Sequence, residues 1–272
     1  MQQLQARSAD DGTPRMTALL DHLETARSSG RKLLVPYMVA GIPDVAGFPE
    51  ALATVARLAD AVEVGLPYSD PLMDGPVIAS ASERALGSGV GPLAALELAS
   101  SATTSCPRIA MTYYNPIHRV GESEFCRVAS EAGFTGLIVP DIPVEESASL
   151  RSAVADHDLA WVPLVAPTSS TERVKAIAVT ATGFIYAVST LGVTGARTSL
   201  SERAAPVVAA CRGASDLPVL VGIGVSTPEQ AREAAVSADG VVVGSAVVRH
   251  ALESGAEAAA EWLASVRAAL DN

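Results

Sequence analysis

Residues 61–76, AVEVGLPYSDPLMDGP, combine a short apolar run with three carboxylic acids. Glu63 lies between two valines, and Asp70 and Asp74 follow in a segment that contains proline and glycine. The apolar residues around Glu63 predict a buried strand, and the proline and glycine predict a loop after it. The stretch therefore predicts a buried strand that carries one acid and leads into a loop that carries two more.

Seven other short apolar runs resemble the predicted strand at 61–67. They lie at residues 33–40, 108–115, 136–141, 160–166, 184–189, 218–224 and 240–246. Helical patterns separate the runs, and the glycine-rich segment 87–92 predicts two helices in the longest gap, between strands two and three. Nearly continuous apolar strands that alternate with helices predict a parallel sheet. Eight such units predict a single (β/α)8 TIM barrel, with extra helices at the N-terminus and between strands two and three.

An open doubly wound sheet is the alternative architecture, and it needs a GxGxxG turn after the first strand. The sequence VAGIPD at residues 39–44 lacks that turn. We therefore expect one barrel domain over residues 16–272, preceded by a polar and disordered tail at residues 1–15. After the seventh strand, Ser226 and Glu229 have the spacing of a capping box at the start of a helix.

Composition and charge exclude several classes of function. Of the 272 residues, 49% are hydrophobic and only 4% are aromatic, which suits a core of aliphatic side chains. A net charge of −11, without a run of Lys or Arg, disfavours binding to nucleic acid or to an anionic membrane. The separated cysteines Cys106, Cys126 and Cys211 form no CxxC pair, so we expect neither a metal site nor a disulfide framework. The polar start and the lack of a long apolar run predict a cytoplasmic protein.

A glutamate inside a barrel strand requires a specific reason. Burying the charge of Glu63 costs on the order of several kcal/mol unless the acid is paired or functional. The predicted strands contain no lysine, and Arg108 lies only at a strand entrance, so a structural ion pair is a weak explanation. Acids near the carboxyl ends of barrel strands are often catalytic, and an apolar lumen would raise the pKa of Glu63. Asp70 and Asp74, by contrast, are also common turn residues.

Glycines end the last two predicted strands, in VGIG at 221–224 and VGSA at 243–246. Backbone N–H groups at these turns commonly bind phosphate in barrels, although tight turn geometry alone would also explain the glycines. The loop STLGVTGARTS at 189–199 has the composition of a mobile lid. From the residues alone we expect a barrel enzyme that acts on a phosphorylated metabolite through carboxylate acid–base catalysis.

Five segments together resemble the signature of one known family, the tryptophan synthase alpha chains. They are EVGLPYSDPLMDGPVI at 63–78, PDIPVEES at 140–147, GVTGAR at 192–197, VGIGVSTPEQ at 221–230 and VVVGSAVV at 241–248. The resemblance covers roughly residues 16–270. It implies a lyase of tryptophan biosynthesis that cleaves indole-3-glycerol phosphate to indole and glyceraldehyde 3-phosphate, in a retro-aldol reaction without a cofactor.

The resemblance also implies roles for individual residues. Glu63 and Asp74 correspond to the catalytic acids, with Glu63 protonated by its apolar site and Asp74 ionised opposite the ring nitrogen of the substrate. The implied substrate-binding residues are Tyr37 and Tyr113 at the indole pocket, Tyr186, Thr194, Gly195, Gly224, Gly244 and Ser245. Of these, the glycines and the serine would hold the phosphate, mostly through backbone N–H groups.

Members of this family usually work with a partner. A beta chain carries pyridoxal phosphate and receives the indole in an alpha2beta2 heterotetramer, and the resemblance assigns the contact to Asp70, Pro71 and Asn115. Two features depart from the family pattern: Val39 replaces a residue that is often threonine, and the start of the chain is longer and unmatched.

Three alternatives stay open at this stage. A stand-alone lyase would release free indole for secondary metabolism, and turnover by the isolated chain would reveal it. A catalytically weak barrel would serve only as an allosteric subunit, but such a subunit has no need of both Glu63 and Asp74. A sugar-phosphate isomerase barrel would rearrange its substrate instead of cleaving it.

Overall fold

A computed structural model describes residues 17–189, 200–222 and 224–272, and the side chains of residues 200–203 lie outside this description. The predicted tail at 1–15 and residues 190–199 of the predicted lid therefore lie outside the described residues. Within the described ranges the strands are β1 Leu33–Val39, β2 Val62–Gly65, β3 Arg108–Met111, β4 Gly136–Ile138, β5 Ala160–Trp161, β6 Leu164–Val165, β7 Ile185–Val188, β8 Val219–Gly222 and β9 Gly240–Val243.

The strands form one parallel sheet in the order β5-β4-β3-β2-β1-β9-β8-β7-β6. Only Val162 and Pro163 separate its two end strands, β5 and β6. The N–H of Val162 donates to Leu137 of β4, and the carbonyl of Pro163 accepts from Tyr186 of β7. The predicted fifth strand thus bonds to both of its neighbours and closes the sheet, which confirms the (β/α)8 barrel.

Helices lie between the strands as the sequence predicts. The described helices are α1 Ala18–Ser28, α2 Phe48–Ala56, α3 Pro76–Gly87, α4 Pro92–Ser100, α5 Tyr114–Val120, α6 Glu122–Glu131, α7 Ala148–Asp156, α8 Thr171–Ala178, α9 Leu200–Arg212, α10 Pro228–Ser237, α11 Ser245–Ser254 and α12 Ala256–Asp271. The two helices expected between strands two and three are α3 and α4, separated by residues 88–91, and α1 is the extra helix at the N-terminus. None of these described helices is long and apolar enough to cross a membrane.

Alternate residues of each strand face the lumen, and α1 closes the lumen at the amino ends of the strands. Leu19 and Leu23 of α1 are fully buried in one cluster with lumen residues such as Leu33 and Ile109. The Thr17 hydroxyl accepts from Leu20 N at the start of α1 and donates to the Thr182 carbonyl, which ties the helix to the barrel. The open end of the lumen is therefore the carboxyl end, where barrel chemistry takes place.

We expect Leu19→Ala to destabilise the protein by about 2–5 kcal/mol, because the barrel floor cannot collapse to fill the cavity. Leu19 approaches Gly136 and Gly183 so closely that a Cβ on either glycine would lie 2.9 or 3.0 Å from its Cδ2. Urea unfolding would measure the change. Leu72→Ala is the matched control, since Leu72 is 86% exposed and its loss should change the free energy of unfolding by less than about 0.5 kcal/mol. Equal losses in the free energy of unfolding for the two substitutions would contradict the conclusion that α1 closes the lumen.

Candidate active site

Glu63 is buried in the lumen and has no ionic partner within the described part of the chain. It pairs in register with Tyr37 on one side and Ile109 on the other, and it is 3% exposed. Its Oε2 atom has no hydrogen-bond partner in residues 17–189, 200–222 and 224–272. Arg108 donates to the carbonyls of Ala99 and Ala132, near the ends of α4 and α6, and does not pair with Glu63. Among the described residues nothing neutralises this carboxyl, so it must hold its proton or bind a ligand.

Asp74 lies above Glu63, in the loop between β2 and α3. Its N–H donates to the Pro71 carbonyl, and Gly75 and Pro76 after it begin α3. The Tyr113 hydroxyl accepts from Met73 N at 2.9 Å and donates to the Asp74 carboxylate. Tyr113 therefore binds the loop that carries Asp74. It is not among the residues that line the cavity around Glu63 and Asp74.

The two acids lie in unlike environments. Burial, with a smaller contribution from the charge of Asp74, raises the pKa of Glu63 to about 8. Burial raises the pKa of Asp74 as well, and the opposing hydrogen bond from Tyr113 limits the result to about 6. At neutral pH the predominant form of the pair is therefore a protonated Glu63 beside an ionised Asp74. Carboxyl groups separated in this way can act as acid and as charge stabiliser.

A cavity of about 160 Å³ brings most of the predicted site residues together. Tyr37 and Tyr186 line it beside the two acids, as do Gly224, Gly244 and Ser245. The predicted residues Thr194 and Gly195 lie outside the described residues. The cavity-lining residues that sequence reasoning missed are Met73, Gly75, Ile78, Met111, Ile138, Pro140, Leu164, Val225, Ser226 and Val242. Several of these, such as Met111 and Val242, lie near strand carboxyl ends, and counting inward-facing positions could have found them.

Two tyrosines cross the cavity above glycines on neighbouring strands. A Cβ on Gly65 would lie 2.0 Å from the Tyr37 hydroxyl oxygen, and a Cβ on Gly222 would lie 2.2 Å from the Tyr186 ring. The glycines therefore leave the space that the aromatic rings fill. The result is a cavity with apolar walls and two phenol groups beside the acids.

One corner of the cavity can bind an anion. Gly224 has a φ of 99°, which favours glycine, and Gly244 is the N-cap of α11, so that Ser245 begins the helix. The first N–H groups of a helix lack carbonyl partners and carry a partial positive charge. A Cβ on Gly244 would lie in ordinary van der Waals contact with Tyr37 and Ile78, at 3.5 Å or more, so the glycine brings the backbone N–H groups of this corner to the cavity surface.

The predicted partner-contact residues lie on the outer rim of the same end. Asp70 is exposed, and so is Asn115, whose Nδ2 donates to the Tyr68 hydroxyl at 3.0 Å. This bond joins the β2–α3 loop to α5, and Leu72 projects from that loop into solvent with 86% of its surface exposed. Among the described residues no group of three or more His, Cys, Asp or Glu side chains could hold a metal ion.

Burial of Glu63 predicts a pH-dependent cost in stability. Because the folded pKa of about 8 exceeds the ordinary value of 4.5, the stability that Glu63 contributes is full below pH 4.5 and falls as pH rises towards 8. We expect the advantage of Glu63→Gln over wild type in urea unfolding to grow by about 3 kcal/mol between pH 5 and pH 8. Glu261→Gln, on the exposed face of α12, should show no such trend. A constant difference for Glu63→Gln would mean that Glu63 is ionised in the folded protein.

Comparison with known proteins identifies the family. The family described as tryptophan synthase alpha chain matches residues 23–270. The alpha chain of Streptomyces avermitilis is 46% identical over 253 residues, which cover 92% of this chain and 91% of that one. The alpha chain of a Picosynechococcus species is 44% identical over 257 residues, which cover 93% and 96%.

Solved structures agree with the sequence comparison. A structure of tryptophan synthase from Mycobacterium tuberculosis has a TM-score of 0.85 at 39% identity and covers 94% of this chain and 99% of that one. Tryptophan synthase subunit alpha from Legionella pneumophila has a TM-score of 0.85 at 33% identity, with coverage of 94% and 99%. The chain therefore belongs to the tryptophan synthase alpha-chain family.

Proposed function

We propose that this chain is a lyase of tryptophan biosynthesis that cleaves indole-3-glycerol phosphate to indole and glyceraldehyde 3-phosphate. The observation that carries the proposal is the unpaired, buried Glu63, whose pKa burial raises to about 8, beside Asp74, with its pKa near 6. Family membership supports the reaction, and the anion-binding corner of the cavity suits a phosphorylated substrate. The cytoplasm is the compartment we expect for it.

The two acids divide the chemistry of carbon–carbon cleavage. Protonated Glu63 donates its proton to C3 of the indole ring, which leaves a positive charge on the ring nitrogen that ionised Asp74 stabilises. Glu63, now a carboxylate, takes the proton of the glycerol hydroxyl next to the ring. The carbon–carbon bond then breaks, its electrons neutralise the ring nitrogen, and the hydroxyl carbon becomes an aldehyde. Acid–base steps of this kind typically contribute 10²–10⁴-fold to the rate.

Binding of the phosphate fixes the substrate above these acids. We assign the phosphate to backbone N–H groups of Gly224, Gly244 and Ser245, with Gly195 of the lid as a further ligand, and we expect Thr194 of the lid to order near Asp74. The helix N-terminus at Ser245 favours the negative charge. Tyr37 and Tyr186 would flank the indole ring, and Tyr113 would hold the Asp74 loop. The reaction transfers protons without net oxidation or reduction, so we expect no cofactor on this chain.

A beta chain is the partner we propose. The Mycobacterium tuberculosis relatives are described as tryptophan synthase, the name of the whole enzyme. Asp70 and Asn115 are exposed and Pro71 is half-buried, and with exposed Leu72 they follow β2 and β3 at the carboxyl end of the barrel, at the mouth through which indole would leave. A partner that receives indole, with pyridoxal phosphate on its own chain, would dock over this mouth in an alpha2beta2 assembly.

Substitution of either acid should abolish most of the turnover. We expect Glu63→Gln and Asp74→Asn to lower kcat for cleavage of indole-3-glycerol phosphate by about 10²-fold or more, because each removes a proton or a charge that the reaction needs. Wild-type kcat/KM should follow a bell with limbs near pH 6 and pH 8, where Asp74 protonates and Glu63 ionises. Glu261→Gln and Asp156→Asn are matched exposed controls. A loss below about tenfold for Glu63→Gln would reject its assignment.

The partner proposal predicts that a cognate beta chain accelerates cleavage at least tenfold, equivalent to about 1.4 kcal/mol of barrier. Coupling of this size is ordinary for linked sites. Leu72→Asp should remove most of the acceleration, since it puts a charge on the exposed rim. Val236→Asp should retain the acceleration, since Val236 is 78% exposed but lies near the carboxyl end of α10, at the opposite end of the barrel.

Steady-state turnover with and without the beta chain is the measurement. Rapid cleavage by the isolated chain, unchanged by the beta chain, would contradict the partnership and would identify a stand-alone lyase.

A further inference from the structure

The hydroxyl of Tyr37 lies between the two acids of the cavity. Tyr37 on β1 pairs in register with Glu63 on β2, and its ring passes Gly244 and ends above Gly65. Gly65 is the next inward-facing position after Glu63, about 7 Å further along the strand, towards the loop that carries Asp74. The Tyr37 hydroxyl therefore occupies the layer that separates the buried acid from the acid in the loop.

This hydroxyl borders the cavity and, among the described residues, makes none of the hydrogen bonds that the Tyr113 hydroxyl makes. Tyr37 is 5% exposed, and burial raises its pKa well above 10, so the phenol keeps its proton. The charge of Asp74 acts on it more strongly than the charge of Glu63, yet it bonds to neither carboxylate. Tyr113, in contrast, both accepts from Met73 and donates to Asp74. The Tyr37 hydroxyl lies on the wall of the cavity that Asp74 also lines, so rotation about its C–O bond can aim its proton at the ionised carboxylate.

Few groups compete for the Asp74 carboxylate. The titratable groups around it are Glu63 from β2, Tyr37 from β1, Tyr186 from β7 and Tyr113 after β3, and the charge of Asp141 acts on Tyr113. No Lys, Arg or His is among the described residues that line the cavity. Because the described part of the cavity holds no cation, hydroxyl donors, the phenols among them, are the side-chain groups there that can favour the ionised form of Asp74.

We propose that Tyr37 is a positioning residue for Asp74, whose hydroxyl donates a second hydrogen bond to the ionised carboxylate beside the one from Tyr113. Two donors, one from β1 and one from the segment after β3, hold the carboxylate in one orientation and keep it ionised while Glu63 next to it keeps its proton. The role rests on the proposed function, in which Asp74 must carry its charge opposite the indole nitrogen.

The test is a carboxyl-carbon NMR titration of the ligand-free full chain, with Asp74→Asn and Glu63→Gln used to assign the two signals. We expect Tyr37→Phe to raise the pKa of Asp74 by about half to one unit, because the carboxylate loses one hydrogen bond. Tyr114→Phe is the matched control, since the Tyr114 hydroxyl donates to Glu122 outside the cavity at 3.0 Å. Thermal unfolding confirms that both variants are folded.

The outcomes separate clearly. An unchanged pKa of Asp74 in folded Tyr37→Phe would overturn the proposal and leave Tyr37 as a space-filling side chain. A shift confined to Glu63 would overturn it as well, because the hydroxyl would then serve the other acid.

In turnover, the acid limb of the kcat/KM profile of Tyr37→Phe should move to higher pH by the same amount, so that the loss of kcat/KM is larger at pH 6 than at pH 8. The titration needs no turnover, so it tests Tyr37 even if the chain fails to cleave indole-3-glycerol phosphate.

Discussion

The burial of one unpaired carboxyl group is the constraint on which the rest of the site depends. Glu63 has valine on both sides in sequence, lies in an apolar lumen and meets no cation among the described residues. A carboxylate in such a place is costly, so the acid holds its proton to a pH far above its usual range. The protein thus accepts a loss of stability at neutral pH in order to present a proton donor to the substrate.

The fold supplies the conditions for this arrangement. Helix α1 packs under the lumen at the amino ends of the strands, so that the cavity containing Glu63 lies towards the carboxyl ends. Gly65 and Gly222 make room for two tyrosine rings, which narrow the cavity without adding charge. Asp74 lies on a loop above, where partial exposure and the Tyr113 hydroxyl keep its pKa lower than that of Glu63. Two chemically similar acids therefore differ in protonation because one belongs to a strand and the other to a loop.

Sequence periodicity predicted the barrel, because each strand is buried on both faces and each gap is long enough for a helix. It could not predict details that depend on tertiary contacts. The fifth strand is interrupted at Pro163, and residues 114–120, the first two of which were assigned to strand three, form α5, whose first N–H donates to Asp141 at 2.9 Å. The capping box assigned to Ser226 and Glu229 was wrong by one residue: Thr227 is the N-cap and accepts from Gln230.

In the active site, too, some residues could be predicted from sequence, and others depend on tertiary contacts. Glu63 could be identified from sequence because an acid between valines conflicts with its apolar surroundings. The glycines of VGIG at 221–224 and VGSA at 243–246 could be identified because they end otherwise apolar strands. Asp74 and Tyr113 are ordinary turn and core residues until the fold brings them together, and only the family resemblance singled them out. The apolar wall residues, such as Met111 and Leu164, have the chemical character of any core residue, and only their inward-facing positions along the strands could have marked them.

The most direct test of this account is the protonation state of Glu63. Infrared difference spectra between wild type and Glu63→Gln, recorded as a function of pH, isolate the carbonyl stretch of this one carboxylic acid. We expect the band of a protonated acid to be present at pH 6.5, to disappear with a midpoint near pH 8, and to be absent in the variant at every pH. A band that has already disappeared at pH 6.5 would show an ionised Glu63 and would contradict the account.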